Sequence, residues 1–159
     1  MKNYLFLFLL GCFIFGTACN NDDDNAREPE PTGYERIVDK NFRLTDLVIR
    51  ANGIIIADSR DLLACELDNV NRYENTGTAI TNYGALRCDT LEPNEDFYFW
   101  TLISNDSKLI LDYGGPNLRV FNIILNDGSR LVLERFTIED VDGDGTQESV
   151  QTTTTYQAA

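Results

Sequence analysis

The chain has 159 residues, 13 basic against 26 acidic side chains, a net charge of −13 and no histidine. A surplus of negative charge without a basic stripe argues against binding to nucleic acid or to anionic lipid surfaces. The absence of histidine removes Ser-His and Cys-His nucleophiles and imidazole metal sites. A carboxylate pair for glycoside hydrolysis stays open, but 26 acidic residues make some close pair inevitable, so it carries no signal and the chain is expected to bind and not to catalyse.

The N-terminus sets the expected compartment. Lys2 is followed by the uncharged, apolar run Tyr4 to Phe15. That run is shorter than the roughly 20 residues needed to span a bilayer as a helix, and suits the core of a signal peptide. Gly16, Thr17 and Ala18 lead into Cys19, the expected site of lipid attachment and cleavage, with residues 1–18 as the signal. A second lipobox-like sequence, Leu9-Leu10-Gly11-Cys12, competes; cleavage there would strand Phe13, Ile14 and Phe15 on the mature end. Residues 19–33 follow as an acidic, proline-containing tether with almost nothing to bury, which is expected to stay disordered. With no further segment long enough to span a membrane, a palmitate-type lipid on Cys19 is the expected anchor.

From residue 34 onward the pattern is strand-like, with turn residues at short intervals. Phe42 to Ile49 reads as the first strand, ended by Asn52-Gly53, and Ile54 to Ile56 as a short apolar stretch. Asp58 is placed to cap a brief helix through Leu62, Leu63 and Ala64 that would plug one end of the core. Asn69 to Glu74 and Thr78 to Tyr83 form a hairpin about Thr76-Gly77. Cys65 and Cys88 sit symmetrically about that tip and, as an even pair in an exported chain, are expected to form a disulfide. Asp96 to Ser104, Lys108 to Asp112, Leu118 to Leu125, Arg130 to Ile138 and Glu148 to Tyr156 complete the series. Eight strands joined by short connections favour a closed antiparallel up-and-down barrel, which leaves no open sheet edge.

Two motifs bear on ligands. Asp140-Val141-Asp142-Gly143-Asp144-Gly145 reproduces the first half of a calcium loop, with Glu148 a further donor, although Gln151 stands where a bidentate glutamate is usual. A plain polar turn explains the same residues. Alternation along Phe97, Tyr98, Phe99 and Trp100 places two rings on each face of a strand. The inward pair would either line a pocket for an apolar or amphipathic molecule or fill a closed core; an outward pair would offer a contact surface.

The stretch Leu62-Leu63-Ala64-Cys65-Glu66-Leu67-Asp68-Asn69, the hairpin ending in Cys88-Asp89, Trp100-Thr101-Leu102 before Ser104 to Leu109, and Leu131-Val132-Leu133 together resemble the lipocalin-like domain of bacterial lipoproteins, over about residues 41–156. The acidic run Asp22 to Asp24 resembles the surface-export signal of Bacteroidota lipoproteins. True lipocalins open on Gly-x-Trp; here Asn41-Phe42-Arg43-Leu44 occupies that place, with Phe42 in the aromatic role at the barrel base. The resemblance implies a lipid-anchored, outer-membrane and surface-exposed monomer. Its barrel, residues 34–159, would hold a small hydrophobic or amphipathic ligand. A closed barrel acting as a protein- or glycan-interaction module is the other reading the sequence leaves open.

Overall fold

The computed structural model describes residues 29–159 apart from 90 and 92, and the compact unit runs from Pro31 to Ala159. Cys12, Cys19, the signal peptide and most of the tether therefore lie outside the described residues. Nine strands follow in chain order: β1 (Asn41–Ala51), β2 (Ile54–Asp58), β3 (Val70–Tyr73), β4 (Thr78–Asn82), β5 (Glu95–Ile103), β6 (Lys108–Asp112), β7 (Leu118–Asn126), β8 (Arg130–Glu139) and β9 (Glu148–Ala158). From β3 onward each strand pairs antiparallel with the next, and β1 pairs with both β3 and β9, so eight strands close into a barrel. The stretch expected at Ile54 to Ile56 is a true ninth strand: β2 folds back on the second half of β1 through Asn52 and Gly53. Both turn residues have positive φ, 48° and 83°, the conformation an Asn-Gly hairpin turn supplies at least cost.

Alternate residues of each strand face the interior, and the register fixes which ones. Leu131, Leu133 and Arg135 of β8 lie opposite Tyr156, Thr154 and Thr152 of β9, which lie in turn opposite Leu44, Leu47 and Ile49 of β1. A bulge between Leu44 and Asp46 keeps Phe42 and Leu44 in phase with the inward set beyond it. The apolar core gathers toward one end, where Phe42, Leu109 and Leu131 are fully buried together with Ala79 and Ile37. Phe42 thus occupies the aromatic position that its place in the sequence implies, tilted against Tyr73 at 6.1 Å.

That end is plugged by a segment the sequence reading did not assign. Residues 33–39 form a helical turn, started by a reciprocal cap in which Thr32 N donates to Glu35 Oε2 (2.7 Å) and Glu35 N donates to Thr32 Oγ1 (3.2 Å). The turn drives Ile37 into the barrel and lays Tyr34 flat on Trp100, ring centroids 5.5 Å apart. Asn126 Nδ2 donates to Gly33 O (2.9 Å), and Lys40 Nζ donates to Gly128 O (3.1 Å), which ties the plug to the β7–β8 turn.

The helix expected after Asp58 is present but does not plug the core. Asp58 caps a single 3-10 turn, Ser59–Asp61, and a separate short helix α1 (Ala64–Leu67) follows; neither contains a buried residue. Cys65 of α1 is bonded to Cys88 in the β4–β5 connection, with Cα atoms 5.3 Å apart. Because Val70 pairs with Asn82, α1 and that connection lie at the same end of the barrel, opposite the plug. Among the described residues no helix is long and apolar enough to cross a membrane.

Candidate functional site

The unplugged end of the barrel opens into a cavity of about 190 Å3. Its walls and floor are made by inward positions of six strands: Asn71 and Tyr73 of β3, Tyr98 of β5, Leu111 of β6 and Tyr113 just beyond it, Arg119 and Phe121 of β7, Leu133 and Arg135 of β8, and Thr152, Thr154 and Tyr156 of β9. Each follows from strand phase. Tyr113 lies two residues after Leu111, Arg119 two before Phe121, and Arg135 two after Leu133, so an unbroken pleat turns all three inward.

Aromatic contacts set the shape of one wall. Tyr98 and Tyr113 stack with centroids 4.5 Å apart and planes 24° from parallel, and the Arg119 guanidinium lies 4.9 Å from the centre of the Tyr113 ring. This cation–π contact holds the arginine at the rim without neutralising it. In the same wall, Thr81 Oγ1 donates to Asn71 Oδ1 (2.7 Å), and the Tyr98 hydroxyl donates to the same oxygen (3.3 Å). Burial holds the hydroxyls of Tyr73, Tyr98 and Tyr113 above the ordinary tyrosine range and pushes that of Tyr156 up to about 12. All four therefore remain protonated hydrogen-bond donors at neutral pH.

Charge is distributed unevenly around the opening. Arg119 is exposed and Arg135 half-buried, and neither forms an ion pair with a carboxylate among the described residues. No described carboxylate lines the cavity. Asp96 is in phase with Tyr98 on β5, one step nearer the rim, and its Oδ2 accepts the Tyr83 hydroxyl at 2.6 Å. In a chain of net charge −13, two arginines thus reach the cavity lining, while the carboxylates at this end, Asp96 and those of the β8–β9 loop, stay outside it.

The four rings expected at a ligand site separate by face. Tyr98 lines the cavity. Trp100 also points inward but belongs to the plugged end, stacked on Tyr34, edge-on to Tyr73 at 5.4 Å, with its Nε1 donating to Glu74 O (2.9 Å). Phe97 and Phe99 face outward and are 64% and 67% exposed, so they do not reach the interior. Arg119, Arg135, Tyr113 and Tyr156 were not singled out from the sequence. The signal for the arginines was present: each is a charge that falls in phase with an inward apolar series.

The acidic loop joins β8 to β9 at the open end of the barrel, beyond Arg135 and Thr152, and none of its residues lines the cavity. Carboxylate oxygens of Asp140, Asp142 and Glu148 come within 4.8 Å of one another, while Asp144 stands outside the group and accepts the Thr146 N–H at 2.6 Å. Asp140 accepts the N–H groups of Gly143 (2.7 Å) and Gly145 (3.0 Å), Asp142 that of Asp144 (3.1 Å) and Glu148 that of Val141 (3.0 Å). These bonds, with Gly143 and Gly145 at φ of 77° and 88°, account for the turn without a cation.

No family model and no curated relative matches the chain. Among solved structures, the bovine odorant binding protein deswapped triple mutant is similar at a TM-score of 0.41 and 15% identity, over 76% of this chain and 73% of that one. The strand pairings, and not that distant likeness, define the fold.

Proposed function

We propose that this protein is an exported, lipid-anchored lipoprotein of the outer membrane, of lipocalin-like type, whose surface-exposed, monomeric barrel binds a small amphipathic molecule at its open end. The observation that carries the binding reading is the cavity itself: one end of the barrel is sealed by the 33–39 turn, and the other opens into a space lined by four tyrosines. At about 190 Å3 it lies below the roughly 300–1,000 Å3 of sites for drug-sized molecules. The ligand is accordingly smaller than a long-chain lipid, with an apolar body for the rings and a polar part for the rim. An enzymatic role has no support in the residues gathered here, since none of them forms a nucleophile–base pair.

Two measurements test this reading. Native mass spectrometry of the full chain purified from envelope membranes is expected to show a bound small molecule. Thr152→Trp, which fills the cavity from β9 opposite Arg135, is expected to abolish that binding while leaving far-UV circular dichroism unchanged. A chain that carries no molecule and saturably binds no single-ring or short-chain amphiphile would overturn it. The anchor is tested separately by palmitate labelling: label is expected on the wild type and lost in Cys19→Ser. Label retained there but lost in Cys12→Ser would move the attachment point to the earlier lipobox.

A second reading, an interaction module for a protein or glycan partner, rests on the outer wall. There Phe99 of β5, Leu118 and Val120 of β7 are exposed at 67%, 53% and 40% around Ile110 of β6. Phe97→Ser with Phe99→Ser separates the two, because it alters this wall and leaves the cavity lining intact.

A further inference from the structure

The interior carries more cationic and donor character than an apolar carrier needs. Strand register makes this informative: Arg135 shares the inward face of β8 with Leu131 and Leu133, although the outward face is one residue away. Half-buried there, and paired with no carboxylate among the described residues, its guanidinium is placed to meet an anion that enters from the open end. Arg119 on the neighbouring strand converges on the same opening, and both act on Tyr113, which their positive charge favours in its ionised form against the larger, opposing effect of burial. The tyrosine and threonine hydroxyls nearby can each donate to an anion, and Asn71 Oδ1 already accepts from Thr81 and Tyr98. The nearest in-phase carboxylate, Asp96, is held by Tyr83.

We propose that the cavity accepts a compact aromatic acid, its ring against the Tyr98–Tyr113 wall and its carboxylate between Arg119 and Arg135. This rests on the reading of the cavity as a ligand site and adds the class of ligand. Volume limits the body of that ligand: about 190 Å3 equals some six water volumes at ~30 Å3 each, enough for one substituted ring and too little for a long alkyl chain. The planar guanidinium forks match a carboxylate bidentately, and the tyrosine hydroxyls supply further donors to its oxygens. An ammonium-bearing ligand would meet two like charges and no lining carboxylate, so the site discriminates by sign as well as by size.

The test uses the full chain with benzoate and, as its uncharged counterpart of the same shape, benzamide, followed through the tyrosine-ring signals in NMR titrations. Benzoate is expected to bind at least tenfold more tightly than benzamide. Arg135→Met is expected to weaken benzoate at least tenfold and leave benzamide unchanged; Arg119→Met, at the exposed rim where folding is not at stake, weakens benzoate several-fold. Raising the salt concentration should weaken benzoate alone. Equal binding of the two probes, or benzoate binding indifferent to both substitutions, would overturn the assignment of an acid and leave the cavity as a site for neutral rings. Failure of both probes together with short-chain alcohols would instead overturn the ligand-site reading beneath it.

Discussion

Trp100→Ala is expected to destabilise the barrel by about 3–5 kcal/mol, the usual range for truncating a buried aromatic side chain. The residue is 5% exposed and joins two parts of the structure that share no strand pairing. One face carries Tyr34 of the N-terminal plug, its edge meets Tyr73 of β3, and its Nε1 donates to the carbonyl of Glu74 at the β3–β4 turn. Alanine removes the ring, opens a cavity under the plug and takes one of two donors from that carbonyl, which keeps the Gly77 N–H at 3.0 Å. Trp100→Phe separates these contributions. It keeps most of the apolar contact and loses the hydrogen bond, so about 1–2 kcal/mol is expected. Urea unfolding followed by far-UV circular dichroism reads both. A cost for alanine below about 1 kcal/mol would mean that the plug rests on Ile37 and its backbone bonds and not on the tryptophan.

How much of this could be read beforehand depends on which physical signal each element carries. The barrel strands were legible because the inward series, such as Leu131 and Leu133 or Leu109 and Leu111, repeat with the period of the pleat between clear turn residues. The disulfide was legible from cysteine parity and from its symmetry about Thr76-Gly77. The plug was not, because residues 31–33 share the composition of the acidic tether before them; yet Thr32-Gly33-Tyr34-Glu35 is a capping-box sequence, and Tyr34 and Ile37 are spaced to share a helical face. Aromatic content alone points to Phe97–Trp100 as the site. Phase decides instead: it sends Phe97 and Phe99 to solvent, and it brings in Arg119 and Arg135, whose charge had suggested the outer surface. Convergence of β3, β5, β7, β8 and β9 on one opening depends on barrel closure, which a single segment does not encode.

Removing the Cys65–Cys88 bridge, as Cys65→Ala with Cys88→Ala, is expected to cost roughly 3 kcal/mol in the loop-entropy model for its 23-residue separation. In a domain of this size that is a fall in Tm on the order of 10 °C. The loss should not be uniform. The bridge ties α1 to the β4–β5 connection at the open end, and Asp68 reinforces it there, its Oδ2 accepting the N–H groups of Ala85 (2.6 Å) and Leu86 (3.0 Å). The buried end around Leu109, Leu131 and Trp100 is held by apolar contacts the bridge does not touch. Hydrogen exchange in the bridgeless variant is therefore expected to accelerate first in residues 62–69 and 83–89, while amides of β6 and β8 lose protection only as far as global stability falls. Since Asn71 and Tyr98 stand directly below that rim, the cavity's affinity for its ligand should weaken with it. A variant whose Tm stays within about 2 °C of the parent would show that the Asp68 bonds and the strand register already define the rim, and that the covalent link adds little to either stability or binding.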